Sequence, residues 1–331
     1  MVHLRIVVKP DLTQRVLDLL GATPSACNLV FLAGAARRPS GDVVLCDVAR
    51  EEASIVIEDL KELGVHHEGS IALEQIDSQV SDAAKRAERA ALGLASDAVV
   101  WEEVEARTSE TAELGGSFLA FMALACLIAS VGIYLGSPIL IVGAMVVGPE
   151  FGPLAGLCVA IVERRRSVAL RSLTALAIGF PVGITAALLF TLICRATGLL
   201  GDDISTIHHP LTKFISKPED FSLIVACFAG AAGMLSLTSA KSGALIGVLI
   251  SVTTIPAAAN IGVAVAFADW SEWRGAMGQL AVNLTGIVLA GVATLQLQRR
   301  LYERRRRRHQ GDEARVAAGL PDSRREVRPR T

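Results

Sequence analysis

Glu150 stands inside an apolar stretch, Leu140 to Pro153, with Gly148, Pro149, Gly152 and Pro153 around it. Proline has no backbone N–H and disrupts the turn before it, so this stretch is predicted to break as a helix and to leave main-chain polar groups without intrahelical partners. A second apolar stretch, "ALIGVLISVTTIPAAANIGVAVAFA", carries Thr253, Thr254, Pro256 and Asn260 at the corresponding place. Freed carbonyls, two hydroxyls, an amide and one carboxylate form an oxygen-rich donor set suited to an ion or a small polar solute. The carboxylate adds the capacity to exchange a proton. Two proline-interrupted segments in matching positions are the strongest pointer sequence gives to a transporter's binding site. An ionised carboxylate at the bilayer centre costs on the order of 3 kcal/mol or more, so Glu150 either has a role there or lies close to an interface. Asn283, in a later apolar run, serves either an interhelical hydrogen bond or the same site.

Other chemistries find no support. There is no GxSxG, HExxH or paired-aspartate span and no phosphate-binding P-loop, which argues against an enzyme and against ATP-driven transport by this chain. The six cysteines (Cys27, Cys46, Cys126, Cys158, Cys194, Cys227) are scattered singly, with no C-x-x-C. They are expected to be buried small hydrophobes, and neither a metal nor a cofactor is expected. His66 and His67 precede the last strand of the N-terminal region, and His208 and His209 sit beside Pro210; both pairs read as solvated turns.

The elements that position these residues follow from composition. The chain has 331 residues, 52% of them hydrophobic, with a mean hydropathy of +0.48, too apolar for an ordinary soluble domain. The excess is local. Residues 1–77 read as a water-soluble head, 78–113 as a helical linker, 114–298 as a membrane body and 299–331 as a tail rich in arginine. In the membrane body, Leu114 to Leu135, Pro138 to Val162, Ser172 to Ile193, Phe221 to Leu237, Ser242 to Ala268 and Ala276 to Leu297 are each long enough to cross a bilayer. With the head inside, Arg107, Arg164, Arg165, Arg166, Arg171, Lys241, Arg299 and Arg300 fall on the cytoplasmic side, as do Arg304, Arg305, Arg306, Arg307 and Arg308. The opposite side keeps Arg195, Lys213, Lys217 and Arg274 among acidic residues that include Asp269 and Glu272. The positive-inside rule then puts both termini in the cytoplasm.

The last three spans also lie over the first three. Phe221 falls on Phe118, Gly247 on Gly143, Pro256 on Pro153, Ala264 on Ala160 and Leu280 on Leu176, at a nearly constant offset. Each half (114–197 and 220–298) has a plain span, a span broken at its middle and a second plain span. An odd number of crossings per half makes this an inverted repeat, with the two breaks expected to face each other.

In the head, "HLRIVV", "ACNLVFLAG", "GDVVLCDVA" and "GSIALEQI" read as strands, and "DLTQRVLDLLG" and "REEASIVIEDLKELG" as amphipathic helices. The order βαββαβ is that of a ferredoxin-like domain, a fold that in regulatory proteins binds small ligands or pairs with a second copy. The linker is a plain connector, or Val99, Val100 and Trp101 in it form an interfacial or subunit contact. The polybasic run Arg304 to Arg308 is expected to meet anionic lipid head groups, with no need for nucleic acid, and the chain beyond Gly311 is expected to be disordered.

The motifs "ILIVGAMVVGPEFGP", "TTIPAAANIGVAVAF" and "AVNLTGIVLAG", in this order behind such a head, resemble the domain of unknown function 389 family of prokaryotic membrane proteins. Pro149, Gly152, Pro153, Pro256 and Asn283 follow the family's pattern. The resemblance implies a multi-pass inner-membrane protein and brings no established activity.

The resulting expectation is an α-helical membrane protein of six spans in two inverted three-helix repeats, carrying an N-terminal α+β ferredoxin-like domain. It would be a homo-oligomeric transporter or channel for a small solute or ion, with the alternative of a membrane-anchored sensor or scaffold whose head binds a metabolite or partner.

Overall fold

The computed structural model describes residues 1–76, 78–91, 98–111, 113–199, 220–239, 246–309 and 313–320. It divides into two compact units. One comprises Met1–Val104, Thr238–Ala240 and Gln298–Thr331, the other Glu105–Leu237 and Lys241–Leu297.

The first unit holds β1 (Val2–Val8), α1 (Pro10–Ala22), β2 (Ala26–Arg37), β3 (Ser40–Val48), α2 (Arg50–Glu62), the four-residue α3 (Val65–Glu68) and β4 (Ser70–Gln75). The four strands form one antiparallel sheet in the order β2-β3-β1-β4. Alternation decides the core. Val2, Leu4, Ile6 and Val8 of β1 and Val44, Cys46 and Val48 of β3 are buried against Val16, Leu19 and Leu20 of α1 and Val56, Ile57 and Leu60 of α2. On the other face of the sheet Asp47 accepts hydrogen bonds from Asn28 (2.6 Å) and Gln79 (2.8 Å) and pairs with His3 at 2.7 Å. Burial pushes the Asp47 carboxyl up, but these bonds outweigh it and hold the group below the ordinary carboxylate range. His66 and His67 are exposed on α3. Cys46 is buried, and burial raises its thiol to about 12.

Two expectations change in this unit. α4 (Asp82–Ala90) and α5 (Trp101–Thr111) follow β4, and Val100 belongs to the head core while Trp101 is buried beside Tyr302 and beneath the Arg299 guanidinium. Val100 and Trp101 are thus buried within their own chain, against the reading of them as a membrane or subunit contact, and Val99, between Ala98 and Val100, is half-buried. The tail is the second correction. Residues 313–320, expected to be disordered, carry α13 (Glu313–Ala317), and Ala314, Ala318 and Leu320 join the head core. Arg315 is buried and pairs with both Asp59 and Glu62, His309 reaches Asp59 at 2.8 Å, and Arg15 donates to the Ala318 carbonyl at 2.9 Å. Low hydrophobicity does not predict this docking, because two alanines and one leucine suffice once α2 supplies carboxylates for the arginines.

The second unit contains α6 (Gly116–Tyr134), α7 (Pro138–Val147), α8 (Phe151–Val162), α9 (Arg166–Ala196), α10 (Asp220–Thr238), α11 (Ile246–Ala266) and most of α12 (Trp270–His309). Helices α6, α9, α10 and α12 are each long and apolar enough to cross a bilayer, and α7 with α8 makes a fifth span if the bent pair counts as one. The sequence expectation was six. The part of α11 whose side chains are described, Thr254–Ala266, is shorter than a span. His208 and His209 lie outside the described residues. Glycines set the helix spacing: a Cβ on Gly183 would lie 2.6 Å from the Cys126 sulfur, one on Gly262 2.5 Å from the Ile184 carbonyl oxygen, and one on Gly230 2.4 Å from that of Ile287. The small residues of "AGAAG" thus bring α10 and α12 into direct backbone approach.

Two outcomes test the tail. Arg315→Ala leaves Asp59 buried with half its partners removed, and should lower head stability by about 3 kcal/mol or more, read as lost hydrogen-exchange protection in α2 and α13 of the full-length protein. Acid should release the same segment. Burial raises the Glu62 carboxyl, but the bonds and charges of Arg315 and then Arg306 outweigh it and hold it below its ordinary 4.5. A carboxyl with a lower folded than unfolded pKa stabilises fully above the unfolded value and loses that contribution as pH falls through the folded one. Proteolytic cleavage after residue 310 should therefore accelerate below about pH 4.

Candidate functional site

The first break is built as its residues require. α7 ends at Gly148, whose φ of −61° and ψ of 125° are extended, the backbone that a following proline imposes. Glu150 is the N-cap of α8, and its carbonyl accepts from the Leu154 N–H at 3.1 Å. Pro153 sits in the first turn of α8, where its missing N–H costs nothing. The two pieces meet at a bend of 55°.

An N-cap carboxylate ordinarily folds back on its own helix, and Glu150 makes no such bond. Its Oε1 accepts a hydrogen bond of 2.7 Å from the Thr254 hydroxyl of α11. Both residues are completely buried. The start of α8 also places the positive end of a helix dipole beside the carboxylate. The site therefore joins a carboxylate from the first broken segment to a hydroxyl from the second proline segment, within one apolar cluster that includes Ala125, Cys126, Leu154, Ile255 and Ala258.

The remaining candidates are placed as follows. Gly148, Pro149 and Gly152 are half-buried at the bend, and Pro153 and Pro256 are buried. Thr253 lies in α11, with its side chain outside the described residues. Asn260 is buried and donates to Glu272 Oε1 at 3.0 Å. Asn283 is fully buried in α12 and accepts from the Gln279 side chain at 3.4 Å. Arg304, Arg305 and Arg307 are exposed on the last turns of α12, whereas Arg306 is drawn to Glu62 (2.8 Å) and Glu58 (3.3 Å). The side chain of Arg308 is outside the described residues.

The second break is corrected. α11 runs unbroken with Pro256 inside it. A single proline followed by Ala257, Ala258 and Ala259 loses one hydrogen bond and returns at once to strong helix formers, whereas Gly148-Pro149 followed by Gly152-Pro153 stops the helix and restarts it. Glu272 and Gln279 are polar contacts that the sequence reading did not single out. Gln279 precedes Asn283 by one turn, a spacing that puts both on one helix face. Glu272 was visible only as a loop charge.

The Glu150 and Thr254 segments and Asn283 all fall within residues 145–289, which match the family model described as a domain of unknown function, DUF389. This segment belongs to the DUF389 family. The chain is also similar to an uncharacterized protein of Methanocaldococcus jannaschii, 26% identical over 200 residues, which are 58% of each chain. It thus spans less than two thirds of that relative's length. No solved structure matches the chain. The DUF389 assignment carries no activity, so chemistry has to be argued from the geometry.

Thr254→Val keeps the shape and removes the donor to a buried carboxylate, which should destabilise the protein by about 1–3 kcal/mol. The loss should be strongly non-additive with Glu150→Gln in a double-mutant cycle read by thermal unfolding in detergent.

Proposed function

We propose that this membrane protein is a secondary transporter or channel for a small solute or ion, with its binding site at the meeting of the α7–α8 break and α11. The observation that carries the reading is a completely buried carboxylate, set at a helix start and bonded to a threonine of the other half of the membrane unit. Such a group is retained at that depth when it exchanges a proton or holds a cation. In this reading α11 supplies the sixth span, the spans form two inverted three-helix repeats, and the protein lies in a prokaryotic inner membrane with both termini cytoplasmic. The head is a ferredoxin-like regulatory or oligomerisation domain, and Arg304 to Arg308 favour anionic lipid.

One observation favours the second reading, a sensor. A cavity of about 250 Å3 in the head is lined by Lys9, Asp11, Gly64, His67, Glu68 and neighbouring apolar residues, a volume suited to a small metabolite.

Purified full-length protein in sealed liposomes, tested against a panel of ions and small metabolites, separates the two. Selective flux that falls at least about tenfold, or 1.4 kcal/mol of barrier, in Glu150→Gln and Asn260→Ala is the expected result. No flux under any gradient, together with saturable metabolite binding lost in Lys9→Ala, would turn the assignment to a sensor.

A further inference from the structure

Glu272 opens α12 in a sequence, Asp269-Trp270-Ser271-Glu272, that has the spacing of a capping box. Half of the box forms: the Asp269 carboxylate accepts from the N–H groups of Ser271 and Glu272, each at 3.0 Å. In the other half Glu272 would accept from the Asp269 N–H. That N–H is already taken by the Ala264 carbonyl at 3.0 Å. Glu272 turns instead onto the buried side chain of Asn260.

This makes a second carboxylate held by α11. Thr254 holds Glu150, and Asn260, six residues along the same helix and so about 9 Å farther, holds Glu272. The two differ in exposure, since Glu150 is sealed and Glu272 is half-buried at the end where α11 joins α12. Glu272 lies in the first turn of α12. Arg195 lies at the same end of α11, but its guanidinium donates to the Ala266 carbonyl and stacks over Phe267 at 4.7 Å.

We propose that Glu272 with Asn260 is a mouth station for a cation, which collects a proton or a monovalent metal ion and passes it along α11 to Glu150 and Thr254. This rests on the transport reading above and narrows its cargo to a positive ion. Asn260 is a positioning residue, and Glu272 is the group that touches the ion.

The test uses the full-length protein in liposomes with three probes: an internal pH dye for protons, and sodium-22 and rubidium-86 uptake. Gln accepts the same bond from Asn260 without the charge, so Glu272→Gln isolates electrostatics from architecture. The expected result is a half-saturating cation concentration raised about tenfold in Glu272→Gln, with a smaller change in maximal rate, and Glu272→Asp near wild type. The arm that responds identifies proton or metal ion. If Glu272→Ala is impaired and Glu272→Gln restores wild-type half-saturation, the contact only clips α11 to α12 and the mouth station is overturned while transport stands. Wild-type protein that moves none of the three probes overturns the cation assignment outright; flux of other solutes by that protein leaves the transport reading intact.

Discussion

A helix that stops inside an apolar interior has to find partners for its main-chain groups within the protein, and Gly148-Pro149 imposes that condition on the membrane unit. The stop fixes where α8 begins. The start of α8 brings Glu150 to a helix N-terminus, and α11 must then lie close enough to offer Thr254. That proximity is available because Gly262 has no side chain to hold α11 away from α9, and Gly179 and Gly183 admit α6 to the other side of α9. One local backbone constraint is thus met through two helix contacts that glycines keep close.

Much of this was legible in the sequence, for a specific reason. Proline and glycine act on their own turn, so the α7–α8 break could be placed to the residue, and strand alternation gave the head's elements in order. Partnership at a distance was harder to read. The Glu150–Thr254 bond spans 104 positions and was reachable only by laying one half of the membrane body over the other, which set the two proline segments opposite each other. That same overlay overreached at Pro256, where the alanines that follow restore the helix. Glu272 was obscured by its surroundings: in a loop of mixed charges nothing in sequence tells a carboxylate capping its own helix from one turned onto a neighbour.

The tail illustrates a different limit. Composition treats a run of arginines as one object, yet the structure separates its members. Arg304, Arg305 and Arg307 remain exposed, Arg306 leans on Glu58 and Glu62, and Arg315, outside the run, is the one that is buried. The difference is set by α2, whose acidic residues recur at helical spacing on one face, Glu58 with Glu62 and Asp59 beside them. Charge density alone treats the segment as uniform, and pairing geometry divides it between exposed arginines and arginines held by the head.

The bond from Arg315 to Asp59 joins residues 256 positions apart, and this bears on how the chain matures. At elongation rates of about 5–20 residues per second, the head leaves the ribosome on the order of ten to fifty seconds before the arginine that pairs with its buried aspartate is made. Every membrane helix is synthesised in that interval. The head is therefore completed only after the membrane unit that follows it, because α13 closes a core whose strands and helices were made long before.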